Sequence, residues 1–128
     1  MNKPSAHTKE GIEIALRKSW GLDTTEEPEA WSTDNPSRGQ CGATALVVND
    51  LLGGKILLSE VFVENSRVGY HYSNLLEDRE HFDPTGDQFD ATETVHPPKI
   101  VERPSRLPKY GADRYLALLS RVEKFLEE

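Results

Sequence analysis

Residues 41–54 read Cys41-Gly42-Ala43-Thr44-Ala45-Leu46-Val47-Val48-Asn49-Asp50-Leu51-Leu52-Gly53-Gly54. Ala43, Ala45, Leu46, Val47, Val48, Leu51 and Leu52 set apolar side chains almost all the way round a helical period. The spacing predicts a helix over Cys41–Leu52 that is covered on most sides, and Gly53-Gly54 supplies its left-handed stop. A helix of that kind needs a layer to pack on. Downstream, Lys55–Val63 is rich in β-branched and large apolar residues and reads as a strand, followed by a turn at Asn65-Ser66. Residues 67–76 and 79–83 read as two more strands joined near Glu77-Asp78. After Pro84 the chain is turn-like to about Pro98, and residues 99–103 could be a further short strand.

Two amphipathic helices flank this block. Ile12, Ala15, Leu16 and Trp20 make one apolar stripe over residues 9–20, with Thr8 as its N-cap and Gly21 as its stop. Tyr115, Leu118, Leu119, Val122 and Leu126 do the same over Ala112–Leu126. Between the first two helices lies a long loop, residues 22–40, broken by Pro28 and Pro36 and holding Trp31; loops of that length in a small domain are commonly functional. The element order predicts an α+β fold in one domain spanning residues 1–128: a buried central helix packed on an antiparallel sheet, with flanking N- and C-terminal helices.

Composition narrows the function. The 128 residues are 36% hydrophobic and 29% charged, as in an ordinary globular protein, and carry a formal charge of -7. That balance argues against nucleic-acid binding, which needs a basic footprint. No apolar run approaches the roughly 20 residues of a membrane span, and the N-terminus lacks a signal-peptide core, so a cytoplasmic protein with no membrane partner is expected. A single cysteine excludes an internal disulfide.

Cys41 falls in the first turn of the buried helix, where unpaired backbone N–H groups stabilise a thiolate. A lone cysteine is also commonly just a small buried hydrophobe. What separates the two readings is a base and a third group to orient it. His7 and His96 are expected in solvent. His71 lies mid-strand in Gly69-Tyr70-His71-Tyr72-Ser73-Asn74, and a hairpin centred on residue 77 sets position 71 opposite Asp83. Asp83 also starts a good turn, Asp83-Pro84-Thr85-Gly86. His81 shares a strand face with Asp83 and could be the base instead, or could join Cys41, His71 and Asp83 around a zinc ion. None of the compact zinc spacings is present, so neither a metal nor a cofactor is expected.

Gly39-Gln40-Cys41 opening a buried helix, His71-Tyr72-Ser73-Asn74 on a strand and Phe82-Asp83-Pro84-Thr85 on the next resemble the transglutaminase-like branch of the papain-like cysteine peptidase superfamily. Most of the chain also resembles the small bacterial YunG-like family, through Ser19-Trp20, residues 34–41, residues 44–48, Gly53-Gly54, the His71 strand, Asp87-Gln88-Phe89 and Arg114-Tyr115. The superfamily resemblance implies a papain-like/transglutaminase-like core with Cys41 as nucleophile, His71 as base and then acid, and Asp83 as the orienting member. It also implies an oxyanion hole of the Cys41 N–H and a side-chain amide. Asn35, six positions before Cys41, and the adjacent Gln40 are the candidates, with the Trp31 indole N–H a third. The His-to-Asp connection is shorter than in large transglutaminases, and no separate substrate domain is present. The implied substrate is a small or extended peptide, amide or thioester, handled by hydrolysis or acyl transfer. Two other readings remain open at this point: a catalytically silent binding module on the same fold, and a small interaction protein whose acidic surface meets a basic partner.

Overall fold

The computed structural model describes residues 8–103 and 111–127; His7 lies outside them. Helix α1 spans Lys9–Ser19, its first turn capped by Thr8, whose Oγ1 accepts from the Gly11 N–H at 3.0 Å. It stops one residue short of the expected end because Trp20 is extended. Trp20 instead turns inward and donates its indole N–H to Thr44 Oγ1 at 3.0 Å. Helix α2 spans Cys41–Leu52, and Asp50 is its one exposed residue. Helix α3 spans Ala112–Leu126.

The core lies where the three helices meet. Ile12, Ala15, Leu16 and Trp20 pack with Ala43, Val47 and Val48 of α2, Tyr115, Leu118 and Val122 of α3, and Leu76 and Phe82 from the sheet end. Each fully buried Leu, Ile or Val here contributes about 1.5–3 kcal/mol. Arg103 ties the helices together at one end, donating to the Leu46 carbonyl, the Asp50 carboxylate and the Tyr115 hydroxyl.

Strands β1 (Lys55–Val63) and β2 (Ser66–Leu75) form a long hairpin. Its tip is Glu64-Asn65 rather than Asn65-Ser66, because Glu64 takes the left-handed conformation at φ 55° and Ser66 already pairs with Val63. β3 pairs with β2 but is only His81–Phe82, shorter than the strand expected over 79–83. The reasons are local. Arg79 adopts φ 71° in a tight turn closed by Leu76 and Glu80, and Asp83 leaves the ladder to enter the Pro84 turn. On the other side of β1 the chain after Pro84 is not all turn: β4 (Glu93–Val95) pairs with Val61–Val63 and β5 (Lys99–Val101) with Ile56–Leu58. Pro97-Pro98, which have no N–H to donate, separate the two.

Among the described residues the result is an α+β fold with three α-helices and an antiparallel sheet ordered β3-β2-β1, β4 and β5 sharing the outer edge of β1. α2 packs against β2 and α3. No helix among the described residues is long and apolar enough to cross a membrane.

Candidate active site

The long loop is a ladder of turns. Thr24, Ala30, Asn35, Arg38 and Gln40 each donate a backbone N–H to a carbonyl three residues back. Gly39 is the pivot. It has φ +73°, and a Cβ there would lie 2.2 Å from Thr25 Oγ1. Its carbonyl accepts from Glu26 N at 2.9 Å, and its N–H donates to Gln88 Oε1 at 3.1 Å. The Gln88 carbonyl in turn accepts from Asn35 Nδ2 at 2.9 Å, and Asp87 accepts from the Ser37 hydroxyl at 2.6 Å. Asp87-Gln88-Phe89 therefore clamps the loop that delivers Cys41 to its helix.

Cys41 opens α2 and is 6% exposed. Gln40, the N-cap residue, makes no side-chain cap, so the first-turn N–H groups of α2 are not taken up by their own cap. His71 pairs with Ser59 across the hairpin and is 1% exposed. The β2–β3 register (Asn74 with Phe82, Leu75 with His81) lies two residues from the one centred on position 77. Because strand faces alternate with period 2, that displacement keeps Asp83 on the His71 side. His71 Nε2 lies 2.8 Å from both Asp83 oxygens, and the edge of the ring meets Phe89 at 4.9 Å between centroids.

The other ring nitrogen, Nδ1, is buried without a hydrogen-bond partner and is the one left to face Cys41. Burial pulls the imidazole pKa down. The hydrogen bond to Asp83, the neighbouring Cys41 and the Asp83 charge outweigh it, and the net is about 9 against a usual 6.5. The structure thus brings Cys41, His71 and Asp83 together.

The oxyanion candidates are each held by the loop. Asn35 gives one amide hydrogen to Gln88, Gln40 Nε2 gives one to the Gly21 carbonyl at 3.1 Å, and the Trp31 indole donates to the Pro36 carbonyl at 2.8 Å. His81 is exposed and turns to Ser73 Oγ at 2.9 Å. His96, expected in solvent, is half-buried and stacks on Phe62 at 4.2 Å. Among the described residues no group of three His, Cys, Asp or Glu is arranged to hold a metal.

A cleft of about 370 Å³ opens at Cys41. Glu26, Arg38 and Phe89 line it together with Val61 and Tyr70 of the hairpin. Tyr72 lies close by: burial raises its phenol pKa, and Cys41 and Glu26 add to the effect. Sequence reasoning did not single out Glu26 or Tyr72. An acidic loop residue and a strand tyrosine carry no mark of position until the loop is folded over α2.

A family model described as YunG protein matches residues 8–127. The chain belongs to the YunG family. A relative from Bacillus subtilis (strain 168), Uncharacterized protein YunG, is 33% identical over 82 residues, which is 64% of this chain and 64% of the relative, so the match spans less than two thirds of that protein. No solved structure matches the chain. The YunG family match takes in Cys41, His71 and Asp83 together with both sides of the Gln88 clamp.

Proposed function

We propose that this protein is a cysteine-dependent hydrolase or acyl transferase acting on an amide, isopeptide or thioester bond, with a papain-like, transglutaminase-like arrangement of its triad. The observation that carries the reading is the placement of a lone cysteine at the start of a buried helix, beside a histidine whose far nitrogen is held by a carboxylate.

His71 carries one proton on Nε2, where Asp83 accepts it, and with a pKa of about 9 it holds a second on Nδ1 at neutral pH, taken up from Cys41. The sulfur freed of its proton attacks the acyl carbon. The negative charge that forms on the carbonyl oxygen meets the Cys41 backbone N–H, and Asn35 and Gln40 each retain one amide hydrogen as the candidate second donor. Collapse of the intermediate expels the amine or thiol, which takes the Nδ1 proton and leaves a thioester on Cys41. Water, or an acceptor amine, then attacks the thioester and gives its proton to His71. The acid or the new amide is released and the thiol is restored. A free nucleophilic thiol suits a reducing compartment, which favours the cytoplasm.

The test is alkylation of Cys41 by iodoacetamide from pH 5 to pH 9 in the wild type, in His71→Ala and in Asp83→Asn, alongside a panel of amide and thioester substrates. The wild type is expected to react several-fold faster than His71→Ala at the same pH, because the imidazole takes up the thiol proton. Identical profiles in the wild type and His71→Ala would overturn the reading. A retained profile with no turnover of any substrate class would assign the fold to a catalytically silent binding module instead.

A further inference from the structure

We propose that the cleft at Cys41 selects a cationic substrate, one with an ammonium or guanidinium group close to the scissile acyl bond, and that Glu26 reads that charge. The proposal rests on Cys41 being the nucleophile and names the substrate class of that same site.

Glu26 is fixed by the turn that precedes α2, where its N–H donates to the Gly39 carbonyl at 2.9 Å. Its carboxylate reaches over the first turn of the helix, so that a Cβ on Gly42 would lie 3.2 Å from Oε2. The acid therefore lies against the residue that follows Cys41, on the wall of the cleft. Its counter-ion is loose: Arg114 of α3 approaches no closer than 3.7 Å, and the Glu26 side chain is half-exposed.

Away from the first-turn N–H groups of α2, carboxylates dominate the cleft. Four carboxylates line it, those of Glu26, Glu27, Asp90 and Glu93, against the single guanidinium of Arg38. Arg38 is itself committed to Glu27 at 3.2 Å and Glu93 at 2.8 Å. Glu26 and Asp90 are left to face an incoming molecule. A negatively charged substrate is repelled from such a wall, and a positive one is drawn toward the sulfur.

The rest of the lining fits a lysine-like or arginine-like group. Val68 and Tyr70, both exposed, give the cleft an apolar share that suits the methylene stem of a long cationic side chain.

The experiment compares three methanethiosulfonate reagents on the full chain at low ionic strength: the 2-(trimethylammonium)ethyl cation, the 2-sulfonatoethyl anion and the neutral methyl reagent. In each, the Cys41 sulfur attacks the sulfenyl sulfur and methanesulfinate leaves, giving a mixed disulfide. After division by the rates for free cysteine, the cation is expected to outpace the anion by on the order of tenfold. Glu26→Gln and Asp90→Asn should each reduce that ratio several-fold. Glu123→Gln, which removes an equal charge from the exposed face of α3, should leave it unchanged. A ratio near one in the wild type overturns the proposal, and so does a ratio that Glu123→Gln lowers as much as Glu26→Gln. The neutral reagent separates the two claims. If its rate ignores His71→Ala, the nucleophile reading fails; if it depends on His71 while the charge ratio is flat, only the substrate class fails.

Discussion

The His71 ring presents Nε2 to both oxygens of the Asp83 carboxylate, each at 2.8 Å, across a pair of strands whose last ladder bond lies one residue earlier, at Phe82. Asp83 is thus held by the turn that follows the strand, Gly86 N–H donating to its carbonyl at 3.1 Å, and not by the ladder itself. A carboxylate at that position stabilises the protonated imidazole and fixes which nitrogen is free.

That pairing makes stability depend on pH in a definite sense. His71 binds its proton more tightly in the folded chain, at about 9 against 6.5. Its contribution is therefore complete below about pH 6.5 and is lost as pH rises through about 9. The upper bound is roughly 3 kcal/mol. Asp83→Asn keeps the shape and removes the charge. The expected result is a destabilisation relative to wild type that is largest near pH 6 and shrinks toward pH 10, measured by urea midpoints across that range. A difference that grows with pH would mean the proton is not held where the geometry puts it.

His81 should be dispensable. Its ring is exposed and shares a 2.9 Å hydrogen bond with the buried Ser73 hydroxyl, so His81→Ala removes that bond. The expected loss is under about 1 kcal/mol, with the alkylation profile of Cys41 unchanged. A profile shifted as far as that of His71→Ala would make His81 the base.

The helices were readable because their signals are local. Thr8 caps, Ile12 to Leu16 repeat, and Gly53 stops, all within one or two turns of chain. The hairpin carried the site by parity: each β2 residue meets a partner two positions further on than expected, which still leaves His71 and Asp83 on one side, whereas a partner displaced by a single residue would have parted them. β4 was not readable. Glu93-Thr94-Val95 has no alternation of its own, and its pairing is set by the edge that β1 offers. Gln88 was hidden for a related reason. A glutamine in a turn reads as surface, and only the folded loop shows it buried between Gly39 and Thr85.

Gly39→Ala should be among the most damaging small substitutions outside the core. The backbone there has φ +73°, and the added methyl would meet Thr25 Oγ1 at 2.2 Å and the Glu27 amide nitrogen at 2.9 Å. Left-handed strain alone costs on the order of 1–3 kcal/mol, before the displaced loop is counted. A loss of roughly 2 kcal/mol or more is expected by chemical denaturation, together with slower Cys41 alkylation at pH 6, since Cys41 starts two residues on. Wild-type stability in this variant would show that the loop has room the geometry denies.

Gln88→Leu tests the clamp itself. The leucine is close in size and fills the same space, but it leaves the Gly39 N–H without its 3.1 Å acceptor, while the Thr85 carbonyl loses a 3.0 Å side-chain donor and keeps the Gln88 backbone N–H at 3.1 Å. A buried donor or acceptor stripped of its partner costs about 1–3 kcal/mol. The Gln88 backbone carbonyl survives the substitution and still accepts from Asn35 and Arg38, so the loop should loosen without detaching. The expected signature is therefore local. Amide hydrogen exchange should accelerate at Gly39 and its neighbours in residues 35–41, while the amides of α1 and α3, which share no hydrogen bond with Gln88, should change only as far as global stability falls. Asn35→Ala removes one strand of the same clamp and should give a smaller version of this pattern. Uniform acceleration across all three helices would instead make Gln88 a general core residue and leave the Cys41 loop anchored by other contacts.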